Sequence, residues 1–280
     1  MKPIIKWCGG KTQLLDKIKE MLPPKYDTYY EPFLGGAAVL LDLNPTKAVV
    51  NDINPELTNM YFQVKYQPEK LLTNLTKLDE CHEAYSDPKA FYYEVRKDFN
   101  ESLDEPTALQ AARLIYLNKH CFNGLYRVNS KGEFNVPFNG KVRGGSVNPD
   151  HLRELSSRLQ SVIITCGDFE EAVKDAGLRD FVFFDSPYAP LTPTSFTDYT
   201  KEGFAYEDHL RLADTFRELT NRGCYCMLTN HDTELIRELY SDFKIETVDV
   251  RRSINRKGDR RTGKEVIITN YNIRGESYDD

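Results

Sequence analysis

The stretch FVFFDSPY (Phe181–Tyr188) decides the fold class of this chain. Four apolar residues ahead of a proline turn predict a short buried strand that ends at Asp185. Where such a strand ends in an open α/β sheet, side chains point into the ligand crevice. The tetrapeptide offers a carboxylate, the carbonyl of Ser186 and an aromatic face, which suits gripping a planar base by its exocyclic amine. A strand-terminating turn with a satisfied carboxylate is the alternative that these residues leave open.

Length and composition indicate a soluble globular enzyme. The 280 residues are 40% hydrophobic and 29% charged, which is ordinary for one large domain with a smaller one attached. No run of about 18 apolar residues is present, so no membrane contact is expected. Without a signal sequence at the N-terminus, the sequence predicts a cytoplasmic protein. The six cysteines lack metal-ligand spacing, which predicts reduced thiols and no metal site.

The order of predicted elements divides the chain into a discontinuous domain and an insert. A strand–loop–helix–strand unit ends at Asp52, and the α/β alternation resumes at Val162. Between them, helical stretches follow one another and end in a predicted hairpin of Leu125–Val128 with Glu133–Val136. We therefore expect a catalytic domain of residues 1–54 and 147–280, with an inserted recognition domain of residues 55–146.

A glycine loop and an acid on consecutive predicted strands favour a nucleoside cofactor. The loop Glu31–Gly36 lies between a strand and a helix, where backbone amides are free and glycine permits close approach. Its pattern is not Gly-x-Gly-x-x-Gly, which disfavours a dinucleotide. Asp52 ends the next strand, where a carboxylate can bind ribose hydroxyls. A helix N-cap before Pro55 is the other reading of Asp52.

Basic residues concentrate in two stretches, although the net charge is −6. One runs from Lys119 to Arg143 and the other from Arg251 to Lys264. In an acidic chain, two basic stretches on predicted loops favour a DNA groove over a merely solvated face.

The ordered motifs resemble a known family. They are KWCGGK (Lys6–Lys11), EPFLGG (Glu31–Gly36), Asn51–Asp52, Asp168–Phe169 and the tetrapeptide. Together they are similar to the Dam-type adenine-specific DNA methyltransferases of the D12 class, and their order matches the α group. Residues 123–127 and 132–138 look like the target-recognition hairpin of that family. The resemblance implies a Rossmann-like methyltransferase sheet with an inserted, mainly helical target-recognition subdomain that carries a β-hairpin.

The resemblance also implies individual site residues. The contacts to S-adenosyl-L-methionine would come from Trp7, Lys11, Phe33, Gly35, Gly36, Asp52, Asp168, Phe169 and Asp185. Within this set, Lys11 would pair with the cofactor carboxylate and Asp52 would hold the ribose. The catalytic residues would be Asp185, Ser186, Pro187 and Tyr188. Asp185 and the Ser186 carbonyl would bind the target amine, and Tyr188 would stack on the flipped base.

Contacts to double-stranded DNA are implied for both basic regions. The residues are Phe122, Asn123, Leu125, Arg127, Pro137, Arg252, Arg256 and Lys257. Arg127 can contact guanine bidentately, and Phe122 would wedge into the vacated stack. Plain hairpin core is the alternative for Phe122, Leu125 and Pro137. The Arg252–Lys257 segment would contact phosphates, which position the protein without specifying sequence.

The implied reaction is methyl transfer to an exocyclic adenine amine, within a GATC-like site. Two acceptors that hold both amine protons free the nitrogen lone pair, so alignment and electrostatics supply the acceleration. The chain contains no Pro-Cys, which disfavours cytosine-C5 chemistry. A cytosine-N4 or RNA amine methyltransferase remains an alternative, as does a catalytically silent DNA-binding relative, because Ser186 stands where the family usually has proline. A cognate restriction endonuclease and action as a monomer on DNA are left open.

Overall fold

The computed structural model describes residues 1–7, 9–103, 105–190, 204–251 and 262–272. The strands are β1 Tyr29–Glu31, β2 Ala48–Asp52, β3 Val162–Cys166, β4 Phe181–Phe184, β5 Tyr225–His231, β6 Lys244–Arg251 and β7 Thr262–Thr269. The helices are α1 Leu15–Glu20, α2 Ala38–Leu43, α3 Pro55–Tyr66, α4 Pro68–Ala84, α5 Pro88–Glu101, α6 Ala108–His120, α7 Pro149–Leu159, α8 Phe169–Ala172, α9 Tyr206–Asn221 and α10 Glu234–Leu239.

The strands form one seven-stranded sheet in the order β3-β2-β1-β4-β5-β7-β6. β1 pairs in parallel with β2 and β4, and β4 pairs in parallel with β5. β7 runs antiparallel to both of its neighbours. The predicted Rossmann-like α/β class is therefore confirmed. The apolar run of β4 is fully buried, as expected of a parallel strand covered on both faces.

By contacts the chain divides into two compact units. The first unit comprises Met1–Gly10, Gly35–Asn44 and Asn51–Gly167, and the second comprises Lys11–Leu34, Pro45–Val50 and Asp168–Asp280. The predicted insert of residues 55–146 falls inside the first unit, and its boundaries stay a prediction. No helix in the described parts of the chain is long and apolar enough to cross a membrane.

The second unit is built around β4 and β5. Val182 and Phe184 of β4 share a buried cluster with Leu228 of β5 and with the inner face of α9, where Leu212 and Phe216 are almost inaccessible. Burying each such side chain is worth about 1.5–3 kcal/mol, so this core holds the end of β4 firmly.

The first unit is mainly helical, and its helix starts follow from local sequence. Asn54, Asp87 and Asn148 accept hydrogen bonds from the first-turn amides of α3, α5 and α7, and each is followed by proline. Asn54, rather than Asp52, is thus the cap of α3, which removes that alternative for Asp52. α6 is buried nearly all round and packs against α3, α4 and α5.

The predicted hairpin contains less strand pairing than expected. Residues 125–136 contain one isolated antiparallel bridge, Val128 to Phe134, and a second bridge joins Cys121 to Phe138. The Asn135 amide donates to the Arg127 carbonyl at 3.1 Å, and the Asn129 amide donates to the Glu133 carbonyl at 2.9 Å. The segment therefore turns back on itself without forming a continuous ladder.

Candidate active site

The tetrapeptide Asp185–Tyr188 begins where β4 ends. The four residues of β4 have no exposed surface, whereas the Asp185 side chain is 19% exposed. A rigid strand therefore delivers this carboxylate to an accessible position at its carboxyl end.

One oxygen of the Asp185 carboxylate is fully engaged. Its Oδ1 forms an ion pair with the Lys11 ammonium and accepts a hydrogen bond from Thr229 Oγ1 at 3.2 Å. Lys11 is itself only 5% exposed. Burial raises the pKa of Asp185, and the Lys11 charge opposes that rise. Oδ2 accepts no hydrogen bond from the described residues.

The Ser186 side chain is buried beside Asn230. The residue is 2% exposed, and its Oγ lies 3.5 Å from the donating Asn230 Nδ2, at the limit of a hydrogen bond. The Ser186 carbonyl accepts no backbone hydrogen bond within the described ranges. The turn thus presents two acceptors, Asp185 Oδ2 and the Ser186 oxygen, that these parts of the chain do not use.

The end of β5 fixes this turn in place. Asn230 Oδ1 accepts the Ala189 amide at 2.8 Å, and His231 Nδ1 lies 2.9 Å from the Ala189 carbonyl. Thr229 and Asn230 are completely buried. The sequence analysis assigned no role to these residues. The signal was the polar run Thr229-Asn230-His231 directly after an apolar strand.

Tyr188 is held at its hydroxyl and over its ring. The hydroxyl donates to Glu265 Oε2 on β7 at 2.8 Å, and Lys11 Nζ lies 4.5 Å from the ring centroid. The His231 ring contacts the Tyr188 ring at 4.7 Å between centroids and 74° between planes. Burial raises the pKa of Tyr188 well above its usual range, so the phenol stays a hydrogen-bond donor.

Three other predicted residues of the second unit come together near α8. Phe33 lies 5.4 Å from Phe169 between ring centroids, and Phe169 is 4% exposed. Asp168 caps α8 through the Glu170 amide and also pairs with Arg211 at 2.9 Å. This carboxylate therefore has structural partners of its own.

In the first unit, Trp7 packs on the glycine loop. A Cβ on Gly35 would lie 3.0 Å from Trp7 Cδ1, and one on Gly36 would lie 3.2 Å from Trp7 Cβ. Gly35 also has a left-handed backbone, with φ of +49°. Trp7 in turn stacks on Tyr126 at 4.8 Å. Both glycines are thus required by a close contact.

Asp52 ties this loop to β2. Its Oδ2 accepts the Gly35 amide at 2.9 Å, and its Oδ1 accepts the Asn54 amide at 3.0 Å. Burial raises the pKa of Asp52, and these amide donors oppose the rise. Each carboxylate oxygen has a second lone pair, so a further donor such as a hydroxyl can still bind.

The predicted DNA-contacting residues are mostly on the surface. Phe122 is 52% exposed and Pro137 is also exposed, so the core alternative is wrong for both, while Leu125 is half-buried. The Arg127 guanidinium is exposed, and its Nε donates to Asn135 Oδ1 at 2.7 Å. Arg252, Arg256 and Lys257 lie outside the described residues.

The sequence model of the D12 class N6 adenine-specific DNA methyltransferases matches residues 7–254. The chain belongs to this family. A type II methyltransferase of Lactococcus lactis subsp. cremoris is 44% identical over 97% of this chain and 96% of the relative. A type II methyltransferase of Methanocaldococcus jannaschii is 41% identical, covering 97% and 99%. A DNA adenine methylase of Haemophilus influenzae is 34% identical, covering 98% and 94%.

The family assignment confirms the predicted enzyme as an adenine-specific DNA methyltransferase. Because this family is specific for adenine in DNA, the assignment decides against a cytosine-N4 or an RNA amine methyltransferase. Those alternatives rested on a shared fold and a similar use of the tetrapeptide. The roles of individual residues in this methyltransferase remain predictions from its geometry.

Replacing Gly35 with alanine should destabilise the methyltransferase through Trp7. The left-handed backbone alone costs about 1–2 kcal/mol, and the new methyl group must also displace the indole ring. Chemical denaturation measures the loss, with the fluorescence of Trp7, the single tryptophan, as the probe. Gly140→Ala is the matched control, since φ is +83° and no atom lies within 4 Å of its Cβ. Equal losses for the two variants would contradict a role for the Trp7 contact.

Replacing Lys11 with methionine should lower the free energy of unfolding by about 3 kcal/mol at pH 7, because a buried carboxylate loses its counter-charge. The folded-state pKa of Asp185, already raised, rises further in this variant. Above that pKa the cost is present in full, and it fades as pH falls through the folded-state pKa and below about 4, where Asp185 is protonated in both states.

The pair Lys17–Glu246 provides the control for Lys11. Both of its side chains are about one-third exposed, at 33% and 31%, so Lys17→Met should cost less than about 1 kcal/mol. Denaturation curves over a pH series compare the two variants, and a pH-independent loss for Lys11→Met would rule out the charge-pair explanation.

Proposed function

We propose that this methyltransferase transfers a methyl group from S-adenosyl-L-methionine to the N6 amine of an adenine flipped out of duplex DNA. The observation that carries the proposal is a pair of acceptors, Asp185 Oδ2 and the Ser186 carbonyl, to which the described residues supply no backbone donor, beside an Oδ1 that Lys11 and Thr229 already hold. An exocyclic amine has two N–H donors, and two fixed acceptors match them.

The two acceptors act on the nucleophile. The nitrogen lone pair of adenine is delocalised into the ring, which makes the amine a poor nucleophile. Hydrogen bonds from its two protons to Asp185 and Ser186 favour a pyramidal nitrogen whose lone pair is localised. Because Lys11 and Thr229 already orient the carboxylate, little reorganisation is needed when the amine arrives. The proton of the methylated amine is then acidic enough to leave to water.

Tyr188 provides the surface for the extrahelical base. A base in a duplex cannot reach the acceptors, so it has to leave the stack, and aromatic side chains compensate for the lost stacking. The phenol ring is restrained at its hydroxyl by Glu265 and at its edge by His231. A ring that is already ordered loses little conformational entropy on contact.

Two groups of residues support the cofactor assignment. S-adenosyl-L-methionine supplies an electrophilic methyl group when bound. In the first unit, the close-packed Gly35–Gly36 loop on Trp7 suits a ligand that approaches the backbone, and Asp52 retains lone pairs for ribose hydroxyls. In the second unit, the half-buried Phe33 ring, which packs on Phe169, offers an apolar face for the adenine ring, and Asp168 precedes Phe169 in sequence.

Lys11 acquires a second role in this proposal. An ammonium group has three donors, and the family resemblance implies that Lys11 also contacts the cofactor carboxylate. We therefore assign Lys11 both to orienting Asp185 and to the methionine carboxylate.

We also propose recognition of a GATC-like site through the hairpin of residues 122–138, with Phe122 as the wedge. Its exposure in the free protein supports that role, since an apolar ring left in water has surface to bury on binding. The relatives named type II methyltransferases support a cognate restriction endonuclease as partner.

Replacing Asp185 with alanine should abolish methylation while cofactor binding remains measurable, because the variant lacks one acceptor for the amine. Incorporation of labelled methyl groups and calorimetric titration with S-adenosyl-L-methionine measure the two properties. Asp214→Ala is the control, since this acid is 81% exposed on α9 and should leave turnover unchanged. Retained turnover in Asp185→Ala would exclude the assigned role, and a product other than N6-methyladenine would exclude the proposed reaction.

Replacing Arg127 with alanine should reduce discrimination at one base pair by about tenfold to a hundredfold, as expected for one bidentate guanine contact. Methylome sequencing in a methylation-free host identifies the recognition site of the wild-type enzyme and any loss of sequence specificity in the variant. Lys131→Ala, in the same exposed turn, should instead weaken methylation evenly across sequences. Unchanged specificity in Arg127→Ala would remove this residue from base recognition.

A further inference from the structure

The Tyr188 ring is oriented by two residues outside every motif of the family resemblance. In the antiparallel pair of β5 and β7, His231 lies directly opposite Glu265. Side chains at such positions are close neighbours on one face of a sheet. Both of them contact Tyr188, Glu265 through its hydroxyl and His231 through its ring.

Glu265 is arranged for this one contact. Among the described residues, the Tyr188 hydroxyl is the side-chain donor to its carboxylate, at 2.8 Å. None of the described lysine, arginine or histidine residues forms a salt bridge with Glu265. By contrast, Glu246 on β6 pairs with Lys17 on α1 and so links two elements of the fold. A carboxylate whose side-chain contact, within the described residues, is to a residue of the site serves the site more than the fold.

The position of Lys11 explains why the orientation of the Tyr188 ring has to be restrained. Lys11 Nζ lies 4.5 Å from the Tyr188 centroid while it pairs with Asp185. A ring rotated about its side-chain bonds would lose this contact and would change the face presented beside Asp185. A hydrogen bond to a charged acceptor contributes more than a neutral one, so Glu265 is a strong restraint on that rotation.

We propose that Glu265 is a positioning residue for the methyl transfer, which sets the orientation of Tyr188 with His231 as its cross-strand support. This inference rests on the proposed stacking of the target adenine on Tyr188. Glu265 does not touch the reacting atoms. It raises the fraction of bound bases whose amine meets Asp185 and Ser186 in the productive orientation.

The test is a double-mutant cycle on Glu265 and Tyr188. Glu265→Ala and Tyr188→Phe each remove one partner of the same hydrogen bond, so each should lower kcat about tenfold through misorientation. The double variant should be no slower than either single one. The KM for S-adenosyl-L-methionine and the affinity for DNA should stay at wild-type values, since neither ligand is proposed to bind Glu265.

Two further variants separate positioning from stability. Glu265→Gln keeps an acceptor oxygen and should recover most of the lost kcat, and Glu246→Ala removes a carboxylate from the neighbouring strand and should leave kcat unchanged. Thermal unfolding of each variant identifies any that fail to fold, and Glu265→Gln then carries the comparison with Tyr188→Phe.

The outcomes distinguish this inference from the proposed function. If Asp185→Ala is inactive and Glu265→Ala has the wild-type kcat, the positioning role of Glu265 is overturned and the proposed reaction stands. Multiplicative effects in the double variant, or a raised KM for the cofactor in place of a lowered kcat, would overturn it as well. Turnover by Asp185→Ala would instead remove the proposed function itself.

Discussion

Because β4 pairs in parallel with β1 on one side and with β5 on the other, no side chain of this strand faces water. β4 ends at Phe184, opposite Leu228, and β5 continues for three further residues to His231. Asp185 follows at that point, and the last residues of β5 arrive beside it. The contacts of Thr229, Asn230 and His231 with the turn are consequences of this parallel register.

Much of the sheet could be predicted from the sequence because its strands are apolar runs between turn-forming residues. The apolar run Phe181–Phe184, which the sequence predicts as a buried strand, is β4 as observed. The end of β5 could not be read in the same way. Thr229 to His231 are polar, and their place in the strand depends on pairing with β7, whose residues lie far along the chain. Local periodicity carries no information about such partners.

The candidate site was predictable only in part for the same reason. Motif order pointed to Asp185, Ser186, Lys11 and the glycine loop. The contact between Lys11 and Asp185 joins residues far apart in sequence, as does the bond from Tyr188 to Glu265. The need for glycine at position 35 also became clear only from the indole of Trp7. At the hairpin, apolar composition suggested a core alternative, but two of those residues face solvent.

The Lys11–Asp185 pair affects the electrostatics of DNA approach to this enzyme. DNA is a dense line of negative charge, and an isolated carboxylate at a site that DNA must approach would repel it. A lysine held against that carboxylate compensates its charge at the place of reaction. In a chain with a net charge of −6, this pairing lowers the electrostatic penalty of using an acidic group as the acceptor.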